Sequence, residues 1–330
     1  MAYGDTLPRE THGLTDRELA ALHAQLCEPF RRELADLQIE LLTDALLQRI
    51  YLPLAAALAK AASSKAGTLV VGVNGAQGSG KTTLCSLLRV LLESGFGLRV
   101  ASVSIDDLYK THAERGRLGR KRHPLFTTRG VPGTHDVEMG LQLLAGLSAP
   151  EAGHQVAIPV FDKAIDDRAP RSAWRVVETP VDIVLFEGWC VGASPQAPAA
   201  LLEPVNALEE AEDPQGIWRG HVNAQLAGGY RRLFAELDLL IMLEIPDMDC
   251  VSAWRGLQES KLAAQSRRAK ASKLMDKAAL HRFIMHYERL TRHMLAELPG
   301  RADLVLRLDT SHQIDAVRVN NWPVVFSELS

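Results

Sequence analysis

The sequence predicts an α/β protein: a three-layer sandwich in which helices cover both faces of a five-stranded, mainly parallel sheet. From Thr68 onward, short apolar runs alternate with longer segments of helical period, which is the pattern of parallel strands joined by crossover helices. In the segments that begin at Leu84, Leu226 and Leu280, apolar residues recur at helical spacing, as expected for helices packed on a sheet. The runs short enough to be buried strands are residues 69–73, 99–105, 181–186, 239–245 and 304–308.

The sequence before this domain predicts a helical extension. Thr15 and Glu18 have the spacing of a capping box, with Leu14 and Leu19 at the staple positions, so a helix is expected to begin there. Helical sequence continues to about Ala62, and residues 63–67 have the composition of a linker. We therefore expect an N-terminal extension over residues 1–66 and a main domain over residues 67–330.

Composition narrows the classes of protein to which the chain can belong. Its 330 residues suffice for one α/β domain with appendages. The formal net charge of −3 provides no global positive field for nucleic acid or an anionic membrane. Residues 1–10 are polar, without the basic end and apolar run typical of a signal peptide, and no run of about 18 uncharged apolar residues occurs in the sequence. We expect a cytoplasmic protein with neither partner, and the oligomeric state stays open. Its dispersed cysteines suit a reducing compartment: Cys27, Cys85, Cys190 and Cys250.

A phosphate-binding loop follows the first predicted strand directly. Residues 75–82 read GAQGSGKT, a complete GxxxxGK[ST] motif that opens a helix. Lys81 is expected to reach the β- and γ-phosphates of ATP, and Thr82 to ligate Mg²⁺. The fold class is therefore that of a P-loop NTPase. The expected nucleotide contacts of the loop are Gly75, Gln77, Gly78, Ser79, Gly80, Lys81, Thr82 and Thr83.

The third predicted strand ends in an acidic residue, Glu187. A carboxylate at this strand end can hold Mg²⁺ directly or through water beside the phosphate loop. Taken alone, such a residue could equally be a helix cap or part of a solvated turn. Together with the phosphate loop it predicts a metal site formed by Thr82 and Glu187, and a catalytic role for Glu187.

The second predicted strand leads into Asp106, Asp107 and Tyr109. Ligands of open α/β sheets gather at the carboxyl ends of the strands. A carboxylate there can orient an alcohol and take its proton during phosphoryl transfer. We therefore expect Asp106 to be the base and Asp107 and Tyr109 to contact the substrate. The alternative is that both aspartates only cap the following segment.

Three polar clusters follow along the chain. The basic run from Arg115 to His123 is expected to be mainly a solvated loop. Arg129, His135 and Asp136 lie among turn-forming residues and could clamp an anion and bind a hydroxyl group. Lys163 and Arg168, in the cluster just before the third strand, are either substrate contacts or members of a salt-bridged surface turn.

A basic helical stretch after the fourth strand is the candidate lid. Residues 254–275 contain Arg255, Arg267 and Arg268. A kinase needs a mobile element that excludes water and brings positive charge to the transferring phosphoryl group. We expect Arg255 to contact the nucleotide. A solvated basic helix is the alternative for Arg267 and Arg268.

As a set, these motifs resemble a known family. The chain is similar to the P-loop kinases of uridine, pantothenate and phosphoribulose, and most closely to the D-glycerate 3-kinases of plants and fungi. The resemblance implies that Asp106 activates the acceptor. The segments that carry it are residues 75–82, 104–109, 129–136, 161–168, 186–189, 254–259 and 283–295.

The expected activity is therefore ATP-dependent transfer of the γ-phosphoryl group to a small hydroxylated, carboxylate-bearing molecule. The resemblance implies D-glycerate as the acceptor and 3-phosphoglycerate as the product. One alternative is a kinase of another small alcohol, such as a nucleoside or a pantothenate-like compound. The other is a regulatory or chaperone-type NTPase that hydrolyses nucleotide to change conformation.

Overall fold

The computed structural model describes residues 3–39, 43–149, 152–251, 253, 254, 256 and 277–322. Arg255, Arg267 and Arg268, with most of the predicted lid, lie outside the described residues. The helices are α1 Arg9–His12, α2 Asp16–Asp36, α3 Asp44–Leu46, α4 Leu52–Ser64, α5 Lys81–Phe96, α6 His112–Lys121, α7 Val137–Leu147, α8 Ala207–Glu212, α9 Ile217–Gln225, α10 Arg231–Phe234 and α11 Lys277–Glu297. The strands are β1 Leu69–Gly75, β2 Val100–Ser104, β3 Gln155–Ile158, β4 Phe161–Asp162, β5 Asp167–Arg168, β6 Arg175–Glu178, β7 Ile183–Gly188, β8 Leu239–Glu244, β9 Leu304–Leu308 and β10 Ile314–Val319.

A six-stranded sheet in the order β10-β9-β8-β1-β7-β2 forms the centre of the fold. The predicted α/β class is confirmed, and all five predicted strands are present and parallel. The sixth strand, β10, was not predicted; it pairs antiparallel with β9 at the edge of the sheet. Because β1, β7 and β2 are neighbours in the sheet and run parallel, their carboxyl ends meet at one edge.

Apolar side chains pack on both faces of the sheet, giving three layers. One buried cluster joins Val71 of β1 to Leu26 of α2, Leu58 of α4 and Leu88 of α5. The other joins Val70 to residues of the opposite layer, including Met294 of α11. Neighbouring residues of one strand point to opposite faces, so β1 contributes to both clusters. The division into residues 1–66 and 67–330 stays a prediction.

Local structure departs from the sequence reading in two places. Helix α4 extends to Ser64, into the segment expected to be a linker. The basic run expected to be a solvated loop forms α6, begun by a capping box at Thr111 and Glu114. Arg115 in α6 is fully buried, because its guanidinium donates to the Lys110 carbonyl and to the Asp166 carboxylate.

The predicted capping box at the start of α2 is present. The Thr15 hydroxyl accepts from the Glu18 amide at 3.3 Å, and the Glu18 carboxylate accepts from the Thr15 amide at 2.7 Å. Across the described ranges, no helix is both long enough and apolar enough to cross a membrane.

Candidate active site

The phosphate loop connects the end of β1 to the start of α5. Gly78 and Gly80 have φ of 81° and 91°, in the left-handed region that favours glycine. Lys81, the first residue of α5, donates from Nζ to the Ala76 carbonyl at 3.0 Å. Its pKa is lowered by burial, against the opposing effect of Glu187 and Asp106. The loop thus brings the N-terminus of α5 and a partly buried lysine to one anion-binding position.

Two polar side chains of the loop indicate that a ligand binds here. The amide of Gln77 and the hydroxyl of Ser79 have buried atoms without a hydrogen-bond partner in the described part of the chain. Buried polar atoms are nearly always paired in folded proteins. These two side chains are therefore available to nucleotide phosphates. Thr83 is the third residue of α5, and its contact with the nucleotide stays a prediction.

The expected metal ligands meet beside the loop. Thr82 Oγ1 donates to Glu187 Oε1 at 3.1 Å, and Glu187 is 8% exposed. No group of three or more His, Cys, Asp or Glu side chains that could hold a metal occurs within the described ranges. Mg²⁺ at phosphate sites commonly takes only one or two protein oxygens, with the remainder from phosphates and water. The hydroxyl of Thr82 and the carboxylate of Glu187 fit this donor set.

His312, which the sequence analysis did not select, adjoins the loop. His312 Nε2 lies 2.6 Å from the Gly78 carbonyl. The His312 ring stacks on Trp254, with centroids 3.7 Å apart. His312 follows β9, the last of the parallel strands. The rule that ligands gather at carboxyl ends was the one sequence signal that could have identified it.

Asp106 lies across the sheet edge from the metal ligands. The last residue of β2, Ser104, pairs with Glu187 of β7, and Asp106 follows in a single 3₁₀ turn. The charges of Glu187, Asp106 and Lys163 all act on the Lys81 ammonium. The structure therefore brings the predicted base, the phosphate-loop lysine and the acidic strand end together.

Two hydrogen bonds hold the Asp106 carboxylate. Lys163 Nζ lies 2.7 Å from Oδ2, and the Tyr109 hydroxyl donates to Oδ1 at 3.0 Å. Burial alone would raise the pKa of Asp106. The charge and hydrogen bond of Lys163 and the hydrogen bond from Tyr109 outweigh burial and lower the pKa to about 2. Asp106 is therefore ionised at neutral pH.

Asp107 has a different role from Asp106 in the structure. Its Oδ1 accepts from the Phe161 amide at 3.0 Å, at the start of the β4–β5 hairpin that carries Lys163. Burial raises the pKa of Asp107, the opposite direction from Asp106. Asp107 thus anchors the hairpin, and Asp106 faces the site.

We expect Lys163→Met to make activity sensitive to mild acid. Loss of the ammonium raises the pKa of Asp106 toward or above its ordinary value, so this carboxylate becomes protonated, and activity falls, at a higher pH than in the wild type. The measurement is kcat/KM between pH 4 and 7. Lys121→Met, at an exposed position in α6, is the matched control and should keep the wild-type profile. Superimposable profiles for Lys163→Met and wild type would contradict the proposed effect of Lys163 on Asp106.

His135 is buried beside Asp106. Its ring stacks on Tyr109, with centroids 4.4 Å apart and an interplanar angle of 19°. Nδ1 lies 2.6 Å from the Tyr230 hydroxyl, and Nε2 is buried without a partner among the described residues. Burial lowers the pKa of His135 to about 3. His135 is thus a neutral group with one ring nitrogen available to a ligand.

The other predicted substrate contacts are partly engaged within the protein. Arg129 forms an ion pair with Asp166. Asp136 caps α7 by accepting from the Met139 amide at 3.1 Å. Arg168 donates to the Tyr109 carbonyl at 3.0 Å and lies 3.6 Å from Asp136, while its buried Nε has no partner in the described regions. Of Arg129 and Arg168, Arg168 is therefore the one with a buried N–H donor still available to a ligand.

The loop that carries His135 depends on a glycine. Gly130 has φ of 140°, and a Cβ there would collide with the Tyr287 hydroxyl. We expect Gly130→Ala to destabilise the fold by about 1–3 kcal/mol, through overpacking and backbone strain. Thermal unfolding measures the effect. Gly220→Ala, inside α9 with open space around the added carbon, is the control and should be neutral or slightly stabilising. Equal melting temperatures for Gly130→Ala and wild type would contradict the close approach of Tyr287.

The phosphate loop follows β1. Its neighbour in the sheet, β7, ends in the acidic Glu187, and the carboxylate of Asp106 follows the next strand across, β2. This arrangement defines a P-loop phosphotransferase. Comparison with known proteins identifies the group. The chain is 33% identical over 227 residues to an uncharacterized kinase of Schizosaccharomyces pombe, covering 66% of this chain and 78% of that protein. No protein-family model matches. The chain is a P-loop kinase and thus an ATP-dependent phosphotransferase.

Two further relatives are D-glycerate 3-kinases. The chloroplastic D-glycerate 3-kinase of Arabidopsis thaliana is 30% identical over 262 residues, covering 76% of this chain and 54% of that protein. The chain thus spans about half the length of the plant enzyme. The solved structure of D-glycerate 3-kinase from Cryptococcus neoformans superposes with a TM-score of 0.67 and 26% identity, covering 81% of this chain and 97% of that one. The chain therefore belongs to the glycerate kinase-like P-loop kinases.

Proposed function

We propose that the protein transfers the γ-phosphoryl group of ATP to the 3-hydroxyl of D-glycerate, giving 3-phosphoglycerate. The observation that carries the proposal is the grouping of Asp106, Lys163 and the free ring nitrogen of His135 beside Lys81. A protein that only hydrolyses nucleotide needs no such polar pocket next to the phosphates. The kinship with two D-glycerate 3-kinases supports the choice of acceptor.

The nucleotide would be held by the phosphate loop and its neighbours. Backbone amides of residues 75–82 and the Lys81 ammonium would bind the phosphates. Thr82 and Glu187 would hold Mg²⁺, which neutralises charge on the phosphates when bound. The nucleotide base would lie against the stacked pair of His312 and Trp254, because His312 contacts the loop at Gly78.

The acceptor would be held between the ends of β2 and the β4–β5 hairpin. Asp106, ionised because of its lowered pKa, would accept a hydrogen bond from the acceptor hydroxyl and take its proton as the bond to phosphorus forms. Arg168, Lys163 and the Nε2 of His135 are the groups that would bind the carboxylate and the second hydroxyl of glycerate. Asp107, Tyr109, Arg129 and Asp136 would shape this pocket through the contacts described above.

A panel of acceptors tests the proposal. ADP release would be measured by a coupled assay with D-glycerate, other sugar acids, polyols, nucleosides and pantothenate. We expect turnover above the water-only rate with D-glycerate, and ³¹P spectra should identify the phosphate on the 3-hydroxyl. Turnover with a nucleoside or pantothenate alone would assign a different acceptor, and ADP release at the same rate without any acceptor would favour a nucleotide-driven switch.

The proposed location is the cytoplasm. Four free cysteines, three of them buried, suit a reducing compartment.

A further inference from the structure

Tyr230 lies at an irregularity in the helical segment that packs against the acceptor site. Residues Leu226–Tyr230 form a π-helical turn between α9 and α10. Gly228 within it has non-helical φ and ψ of −103° and −108°. The apolar spacing of this segment predicted one regular helix, with Tyr230 as a core residue. Such π turns often occur at functional sites, because the extra residue changes the direction of the side chains that follow.

The Tyr230 hydroxyl is at the centre of a small hydrogen-bond network. Its oxygen accepts from the Gly133 amide at 3.0 Å and from the His135 amide at 3.4 Å. The same oxygen lies 2.6 Å from His135 Nδ1. Burial raises the pKa of Tyr230 well above its ordinary value, so the phenol keeps its proton. Within the described part of the chain, Nδ1 is the acceptor found for that proton.

The direction of this hydrogen bond determines the tautomer of His135. A neutral imidazole whose Nδ1 accepts a hydrogen bond carries its own proton on Nε2. His135 is neutral because burial, with a smaller contribution from the charge of Lys110, lowers its pKa to about 3, against the opposing charge of Asp106. Its buried Nε2 is therefore an N–H donor, and the described residues offer it no acceptor.

A buried donor without an acceptor destabilises a protein unless a ligand or water supplies the missing oxygen. We propose that Tyr230 is a positioning residue that holds His135 in the Nε2–H form, so that His135 presents a neutral donor to an oxygen atom of the acceptor. The identity of the acceptor rests on the proposed function. The tautomer is a property of the protein alone.

Nitrogen-15 NMR of protein labelled at histidine tests the tautomer directly, with His135→Gln used to assign the resonances. We expect His135 to show a protonated Nε2 and an unprotonated Nδ1, unchanged between pH 5.5 and 8. In Tyr230→Phe the two tautomers should become mixed. A wild-type His135 protonated at Nδ1, or at both nitrogens in this pH range, would overturn the proposal. This experiment needs no acceptor, so it stands even if D-glycerate is not phosphorylated.

Kinetics test the consequence for the acceptor, with whichever acceptor the panel identifies. Tyr230→Phe should raise the acceptor KM by about tenfold, the scale of one hydrogen bond, and leave the nucleotide KM unchanged. Tyr287→Phe is the matched control: its hydroxyl donates to the Arg129 carbonyl on the same loop but does not reach His135. An equal rise in acceptor KM in both variants would indicate a general loosening of the loop and would overturn the specific role of Tyr230.

A double-mutant comparison separates tautomer control from stability. Glutamine can present its amide nitrogen near the position of a histidine Nε2 without needing Tyr230 to fix a tautomer. Tyr230→Phe should therefore cost little acceptor affinity in a His135→Gln background, and much more in the wild type. Equal costs in the two backgrounds would overturn the proposal.

If Tyr230→Phe does not fold, the NMR result on the wild type decides the tautomer. The acceptor KM of His135→Gln, which keeps an N–H donor, is then compared with that of His135→Met, which has none. Equal acceptor KM values in these two variants would overturn the proposal.

Discussion

Lys81→Ala is expected to lower kcat for phosphoryl transfer by at least about 10²-fold while leaving the fold intact. The substitution removes a partly buried positive charge from the start of α5, beside the phosphate loop. That charge stabilises the transferring group in the transition state, and loss of one such stabilising group costs about this much. Steady-state kinetics at saturating ATP measures the loss.

The control for Lys81→Ala is a lysine outside the site. Lys60→Ala, in α4, removes a lysine far from the phosphate loop in sequence and should keep wild-type kcat. Circular dichroism and thermal unfolding establish that both variants are folded. Near-normal turnover in a folded Lys81→Ala protein would refute the assignment of the phosphate site.

Asp106→Asn is expected to separate binding from chemistry. Removing the carboxylate takes away the group that would orient the acceptor hydroxyl and receive its proton, so kcat should fall by about 10²–10⁴-fold. The phosphate loop, Thr82 and Glu187 are unchanged, so the dissociation constant of MgATP should stay close to that of the wild type. Calorimetry of nucleotide binding and measurement of kcat on the same preparation test both parts.

Asp107→Asn is the matched comparison for Asp106→Asn. Asp107 accepts a hydrogen bond from the Phe161 amide and so anchors the β4–β5 hairpin. Its replacement should therefore weaken acceptor binding or stability more than it lowers kcat. If Asp106→Asn instead lowers MgATP affinity together with turnover, Asp106 acts mainly as a Mg²⁺ ligand, and the base role passes to Asp107 or is abandoned. Wild-type kcat in Asp106→Asn would show that neither role belongs to Asp106.

Local patterns in the sequence were enough to predict several parts of this protein. The phosphate loop has a fixed spacing of glycines, lysine and threonine, because consecutive backbone amides must converge on one phosphate group. Five buried strands could be predicted from their apolar runs. Their carboxyl ends then indicated Asp106 and Glu187, since parallel strands deliver their ends to one edge of the sheet.

Other features could be found only in the tertiary structure, because they depend on residues far apart in the chain. The sixth strand, β10, is an edge strand fixed by its pairing with β9. Arg115 is buried because Asp166, 51 positions away, accepts from it. The tautomer of His135 follows from Tyr230, 95 positions away, and from the π turn that directs this side chain. Hydrogen bonds between distant side chains leave no periodicity in a sequence. The chemical class of the site was therefore predictable, whereas the state of its individual groups was decided by packing.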